Sequence, residues 1–422
     1  MRPPVPYPAP TRAIRPGLWR RAAFFALGLL AVLTRAATAP RRRRFARRRV
    51  GAGGADVRRV CIVEPYGMGD AFLLQPLVRA WLDAGAEVSL AARHAWEPLF
   101  PKHERFSFVP FEPSWAAPVP SPGRKYRRPA RDLSRAARTL RPFAKGAIGI
   151  DPRGDPRAVM ALYLAGAAHV RTLPVYWSAT DCAMPPLAAH FVPLDKDVSR
   201  RLVSRAFAPK DASYGFPSLA HLGFPRRPHA SPPPPVSPDS PVGLLPLTPW
   251  EGKRWPRSRW GELLAIFRRR GIPALLLCGP GERSAALAAI GAGDGEEEGT
   301  DCAALSSTPV LEASDVADWA RLLSRLSALV TVNTGPMHLA DAMGVPLVVL
   351  DGASRLPLWA PESESSVVLH RQDLVPQAPF HPTSRNGLAV QSSVMSLVSA
   401  DDVMRAISAL GVAANRTLSD RR

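Results

Sequence analysis

Ala328-Leu329-Val330-Thr331-Val332-Asn333-Thr334-Gly335-Pro336-Met337-His338-Leu339-Ala340-Asp341-Ala342-Met343-Gly344-Val345-Pro346-Leu347-Val348-Val349-Leu350 is the stretch on which the fold of this chain turns. The run Leu329–Val332 reads as a buried strand, and Asn333-Thr334-Gly335 breaks it. Pro336 suits the first position of a helix, where its missing N–H would have had no partner. Gly344 is a plausible cap beyond the end of a short helix, and Val345–Leu350 starts a second strand. The unit is strand, loop, helix, strand, with free backbone N–H groups at the helix start. Such a start favours anions, and a diphosphate is the usual occupant. The plainer reading is that Thr334 and His338 only cap and pack the helix.

Two earlier stretches bear on that choice. Residues 60–76 read Val-Cys-Ile-Val-Glu-Pro-Tyr-Gly-Met-Gly-Asp-Ala-Phe-Leu-Leu-Gln-Pro, and residues 245–256 read Leu-Pro-Leu-Thr-Pro-Trp-Glu-Gly-Lys-Arg-Trp-Pro. With the opening stretch they resemble glycosyltransferase family 9, the ADP-heptose:lipopolysaccharide heptosyltransferases. The family pattern is strand–loop–Gly-Asp–helix, then Lys-x-Trp-Pro, then Asp-Thr-Gly-x-x-His-Leu. The likeness covers roughly residues 58–411 and is strongest at these three places, which occur in the family's order.

The resemblance implies an α/β chain of GT-B fold, two Rossmann-like doubly wound domains facing across a cleft. It implies inverting transfer of a sugar, expected to be a heptose from ADP-heptose, onto a lipopolysaccharide core or similar lipid-linked glycan. Asp70 matches the family's catalytic Asp, and Lys253 its phosphate-contacting Lys. Thr334, Gly335, Met337 and His338 supply the second-domain phosphate cradle. Gly67, Met68 and Gly69 form the loop near the acceptor, and Glu282 is a candidate acceptor for ribose hydroxyls. Each has a plainer reading: Asp70 as a helix N-cap, Lys253 as a solvated loop lysine, Glu282 as an acid suited to a helix start. No metal and no cofactor beyond the nucleotide-sugar substrate is expected. The alternatives are a GT-B enzyme with another nucleotide sugar or acceptor, and a non-catalytic membrane-associated relative.

Two positions depart from the family pattern. Asn333 stands where relatives usually carry Asp, and Glu64 where they carry a basic residue. Glu64 sets an acid near Asp70, which tends to raise a carboxylate pKa and to repel an anionic substrate. The stretch 375–393 also lacks the cysteine-bearing pattern of many relatives.

At 422 residues the chain can bury two ordinary cores, and its 46% hydrophobic content is that of a globular protein. A net charge of +20 admits nucleic acid, an anionic membrane surface or an acidic substrate as partner. There is no zinc spacing and no interleaving of Arg with aromatic residues, so no nucleic-acid partner is expected. Cys61, Cys182, Cys278 and Cys302 form no Cys-x-x-Cys pair, which fits a reducing, cytoplasmic setting.

Along the chain, residues 1–55 form a basic arm. Its apolar run Ala22–Leu33 is short for a bilayer span and is flanked by Arg on both sides, followed by Arg41–Arg44 and Arg47–Arg49. The expectation is an interfacial helix on the anionic inner face of the inner membrane, the other possibility being that translation begins near residue 50. Residues 56–224 form a first Rossmann-like domain that holds the acceptor. An Arg-studded helix in it carries Leu133, Ala137 and Leu140 on one side. Residues 225–241 are a Pro-rich linker, and 242–395 the nucleotide-sugar domain. There Trp260, Leu263, Leu264 and Phe267 make one apolar stripe. The acidic glycine-rich loop 291–301 has no ordered ligand spacing. Residues 396–422 hold a last helix and tail, the helix expected to pack back towards the first domain.

Overall fold

The structure, a computed structural model, describes residues 33–34, 36–37, 39, 58–116, 129–173, 200–227, 240–249, 251–291, 308–352, 359–371 and 392–412. The apolar run and Arg tract of the arm, most of the Pro-rich linker, the acidic loop beyond Gly291 and the stretch 375–391 lie outside these. Among the described residues no helix is long and apolar enough to cross a membrane.

Contacts divide the chain into two units at Pro217/Ser218, ahead of the expected boundary at 224/225. Residues 218–227 are tied to the second unit through Arg227, whose N–H donates to Met343 O at 3.0 Å and whose Nη2 donates to Ser324 O at 2.6 Å.

The N-terminal unit holds β1 (Arg59–Glu64), α1 (Met68–Phe72), α2 (Gln75–Asp83), β2 (Glu87–Ala92), β3 (Phe106–Pro110), α3 (Pro129–Ala144), β4 (Ile148–Asp151), α4 (Pro156–Ala165), β5 (His169–Thr172) and α5 (Arg200–Arg205). Its five strands run in the order β3-β2-β1-β4-β5, all parallel. Near-continuous apolar runs such as Val60–Val63 suit strands covered on both faces. Cys61, Val63 and Ala91 pack under Ala136 and Leu140 of α3 and Val159 and Leu162 of α4. The expected α3 stripe is seen, with Ala137 and Leu140 buried and Leu133 half-buried.

The C-terminal unit holds β6 (Val242–Leu245), α6 (Arg257–Arg269), β7 (Ala274–Cys278), α7 (Arg283–Ala289), β8 (Val310–Glu312), α8 (Val316–Ser324), β9 (Ala328–Val332), α9 (Gly335–Met343), β10 (Leu347–Leu350), β11 (Ser366–Leu369) and α10 (Ala400–Ala409). The sheet order is β11-β10-β9-β6-β7-β8, again all parallel. Counted from its own first strand this is 3-2-1-4-5-6 read from the other edge, the doubly wound nucleotide-binding pattern. Leu244, Val330 and Val348 on one face meet Trp260, Leu264 and Phe267 of α6 and Val403 and Ile407 of α10. Each such aliphatic or aromatic side chain stabilises the unit by about 1.5–3 kcal/mol on leaving water. Within its own unit α10 packs on α6, β10 and β11.

The stretch 328–350 folds as strand, helix, strand. The helix begins at Gly335, so Pro336 is its second residue rather than its first, still within the turn that needs no proline N–H. Gly344 closes α9 at φ +70°, and a Cβ there would meet Arg227 O at 3.2 Å. Conformation and space both call for glycine at this position.

Candidate active site

In a doubly wound sheet, ligands bind beyond the carboxyl ends of the strands, where the winding reverses. In the N-terminal unit that place lies between β1 and β4. Strand β1 ends at Glu64 and β4 at Asp151, and the two turns that follow bring a dense set of charges together.

Asp70 is the third residue of α1, which begins at Met68 and not, as the sequence suggested, at Asp70 itself. Met68 and Gly69 thus lie in the first helical turn, with Gly67 alone before it. The Gly67 N–H donates to Asp70 Oδ2 at 3.2 Å, so the carboxylate reaches back to cap its own helix. A Cβ on Gly67 would stand 2.9 Å from that oxygen, so only glycine admits it there without moving Asp70. The other carboxylate oxygen, Oδ1, lies 2.8 Å from Arg153 Nη1. Capping and charge pairing therefore fall on different oxygens of one side chain.

Arg153 enters from the turn after β4. Its Nη1 is also 3.7 Å from Oε1 of Glu64, a carboxylate with 0% of its side chain exposed. The guanidinium carbon sits 4.2 Å from the centre of the Tyr66 ring. Tyr66 in turn donates its hydroxyl to Asp155 Oδ2. Asp155 caps α4 by accepting from Arg157 N–H at 2.9 Å, and it holds the Arg157 side chain through Nε at 2.9 Å and Nη2 at 3.0 Å. The acid expected to repel Asp70 is therefore there, but a cation stands between the two. Arg153, Asp155, Arg157 and Tyr66 were not singled out from the sequence. Their signal is Asp151-Pro152-Arg153-Gly154-Asp155-Pro156-Arg157, a charged turn after a strand, placed as Gly-Asp is placed after β1.

Asp151 is 1% exposed, and Thr172 Oγ1 donates to it at 2.6 Å and Arg153 N–H at 3.2 Å. Burial, and then the neighbouring charges of Asp155 and Glu64, push its pKa up from 3.8 to about 7 against these two hydrogen bonds. Because the folded value lies above the unfolded one, the native state binds the extra proton, and stability falls as pH rises from about 4 through 7. At ~1.4 kcal/mol per pH unit the ceiling is roughly 4 kcal/mol. Asp151→Asn can keep both hydrogen bonds, since the Thr172 hydroxyl can turn to accept. Denaturant midpoints for both proteins between pH 5 and 8 should show the Asn variant gaining on the wild type as pH rises. A constant gap would mean that Asp151 is charged throughout.

In the C-terminal unit the reversal lies between β6 and β9, paired as far as Leu245 and Thr331. Lys253 ends a 3-10 turn in the chain leaving β6, and is half-buried. Trp255, two residues on, is 2% exposed. Its Nε1 donates to Val398 O at 2.9 Å, and its ring meets Trp260 edge-on at 4.9 Å. The Trp of Lys-x-Trp-Pro is thus an anchor that fixes the turn bearing the lysine.

Beyond β9, Thr334 is the N-cap of α9 but makes no side-chain cap bond, while Met337 and His338 are buried in its first turns. Asn333 does not cap the turn. Its Nδ2 donates to Asp351 Oδ2 at 3.2 Å and to Trp359 O at 3.3 Å. An acid does stand at this end of the sheet, on the residue after β10. Glu282 lies at the exposed start of α7 after β7, and its carboxylate accepts from Gly279 N–H at 3.0 Å.

Cys61 and Cys278 are free, buried thiols, and burial raises that of Cys61 to about 12, so it packs as an apolar group. Among the described residues no three His, Cys, Asp or Glu side chains are grouped to hold a metal ion.

Two parallel Rossmann-like α/β units define the GT-B fold class. The model of glycosyltransferase family 9 (heptosyltransferase) matches residues 202–389. The chain is 33% identical over 105 residues to lipopolysaccharide heptosyltransferase 1 of Pseudomonas aeruginosa, 25% of this chain and 26% of that protein. It is 24% identical over 154 residues to lipopolysaccharide heptosyltransferase 3 of Escherichia coli K12, 36% of this chain and 41% of that protein. The chain thus spans well under half the length of these curated relatives. An E. coli heptosyltransferase solved with ADP-2-deoxy-2-fluoro heptose superposes with a TM-score of 0.53 at 16% identity, over 83% of this chain and 99% of that one. At such identity the likeness carries the fold. Over residues 202–389 the chain is similar to glycosyltransferase family 9.

Proposed function

We propose that the chain is an inverting, metal-independent glycosyltransferase that moves a heptose from ADP-heptose to a lipopolysaccharide core or similar lipid-linked glycan. The observation that carries this reading is the placement of its motifs. Asp70 in one unit, and Lys253 with Thr334–His338 in the other, follow the strands that flank each winding reversal. The relatives named as lipopolysaccharide heptosyltransferases, and the fold neighbour solved with an ADP-heptose analogue, supply the substrate class.

The chemistry needs a base on the acceptor side and positive charge on the donor side. The acceptor hydroxyl attacks the anomeric carbon while its proton passes to Asp70. The bond from that carbon to the diphosphate oxygen breaks, and the diphosphate leaves with the electron pair. Lys253 and the first N–H groups of α9, with Thr334, Gly335, Met337 and His338 around them, offset the departing charge. Glu282 accepts from ribose hydroxyls once its bond to Gly279 opens. The alternatives remain a GT-B enzyme with another donor or acceptor, and a relative that binds without transfer.

Calorimetry with ADP-, UDP-, GDP- and CMP-sugars tests the reading. An ADP-sugar is expected to bind undiminished by chelator. Absence of binding by all four, or binding that magnesium alone restores, would overturn it. The basic arm at 1–55 would hold this activity at the cytoplasmic, anionic face of the inner membrane. A chain begun at Asp56 should keep donor binding and lose anionic vesicles, as the full chain should in high salt. Equal vesicle binding by both chains would remove the arm from the account.

A further inference from the structure

We propose that Glu64 and Arg153 are a positioning pair that sets both the orientation and the basicity of Asp70, an inference that rests on the base role given to Asp70 above. Two carboxylates share one guanidinium. Arg153 Nη1 is 2.8 Å from Asp70 Oδ1 and 3.7 Å from Glu64 Oε1, with Glu64 at 0% and Asp70 at 14% exposure. An Arg touching an exchanging carboxylate does two opposed things. It fixes the oxygen, and it stabilises the anion, which makes a weaker base. A second carboxylate on the same guanidinium moderates the latter effect. Glu64 is suited to this: it ends β1, is buried, and cannot swing into solvent away from Arg153.

The guanidinium is held independently of both acids. It stacks on Tyr66, which is tied through its hydroxyl to Asp155 and through its carbonyl to Trp96 Nε1 at 3.3 Å. The other charged groups around the site have partners of their own. Arg157 is held by Asp155, Arg93 donates to Pro65 O at 3.0 Å and to Ala116 O, and His94 pairs with Glu97 at 3.3 Å. Asp151 accepts from Thr172 and from the backbone of Arg153. Among the described residues Arg153 is thus a cation that answers Asp70, and Glu64 a second acid drawing on the same guanidinium.

The two partners should move Asp70 in opposite directions, which a purely structural role would not do. The measurement is a carbon-detected NMR titration of the Asp70 carboxyl in the full chain, beside the acid limb of the kcat/KM profile. Arg153→Met is expected to raise the Asp70 pKa by ~1 or more, as loss of an adjacent Arg does. Arg153→Lys should restore most of the shift. Glu64→Gln keeps size and shape, and should lower the Asp70 pKa by roughly half a unit or more. Melting curves identify variants that fail to fold, and Arg153→Lys and Glu64→Gln then carry the comparison. Shifts of the same sign, or none beyond about 0.3 in any folded variant, overturn the pair. The titration needs no substrate. Opposite shifts in a chain that transfers no sugar would uphold the pair and refute the function.

Discussion

Asp70→Asn is expected to lower transfer turnover by roughly 10²–10⁴-fold while donor affinity stays near that of the wild type. The geometry makes this a clean separation. Asp70 Oδ2 accepts from Gly67 N–H at 3.2 Å, and Asn can present its carbonyl oxygen to that donor. Asn caps about as well as Asp, so the capping role survives and the proton acceptor does not. With that oxygen on Gly67, the amide nitrogen takes the place of Oδ1 and faces the Arg153 guanidinium, so the ion pair is lost with the base and some stability with it. Lys253→Ala should behave differently, weakening the donor as well as slowing transfer. Transfer rate, donor dissociation constant and a melting curve for both variants decide the matter. Near-wild-type turnover by the Asn variant would leave Asp70 as a cap and nothing more.

Trp255→Ala is expected to destabilise the C-terminal unit by about 3–5 kcal/mol. The ring is 2% exposed and lies between Trp260 and the segment before α10. Truncation removes its packing and leaves Val398 O without the indole donor. Trp255→Phe keeps most of the ring and gives up the hydrogen bond, and so should cost less, with the bond itself worth about 1 kcal/mol. Because Lys253 rides on the same turn, donor binding should weaken in both variants at temperatures where the fold persists. Denaturant unfolding with calorimetry on the folded protein checks this. An Ala variant within roughly 0.5 kcal/mol of wild type, the scale of an ordinary surface substitution, would show that the indole is not an anchor.

The strand–helix–strand unit at 328–350 and the helix stripes at 133–140 and 260–267 were readable in the chain because such units carry their own local punctuation. Apolar runs give the strands, and glycines such as Gly85 and Gly344 end the helices at positive φ. The three motifs were readable too, since each is contiguous. Of what surrounds Asp70, Glu64 was readable and Arg153 was not. Glu64 and Arg153 meet because β1 and β4 are neighbours in the sheet, a pairing that neither segment states by itself. For the same reason Asn333 looked like a missing charge, whereas Asp351 supplies one from the end of β10. The start of α1 was misplaced because Gly67-Met68-Gly69 reads as loop by composition, yet Met68 is buried and its turn is helical.

The Asn333–Asp351 contact has a bearing on how such chains can be altered. An Asp placed at 333 would set two acids against each other at about 3.2 Å in a site where Asn333 is 7% and Asp351 1% exposed. One would have to take up a proton or leave the sheet end. Positions 333 and 351 therefore form a two-letter word whose letters have to be exchanged together, and grafting a single letter from a relative spells nothing.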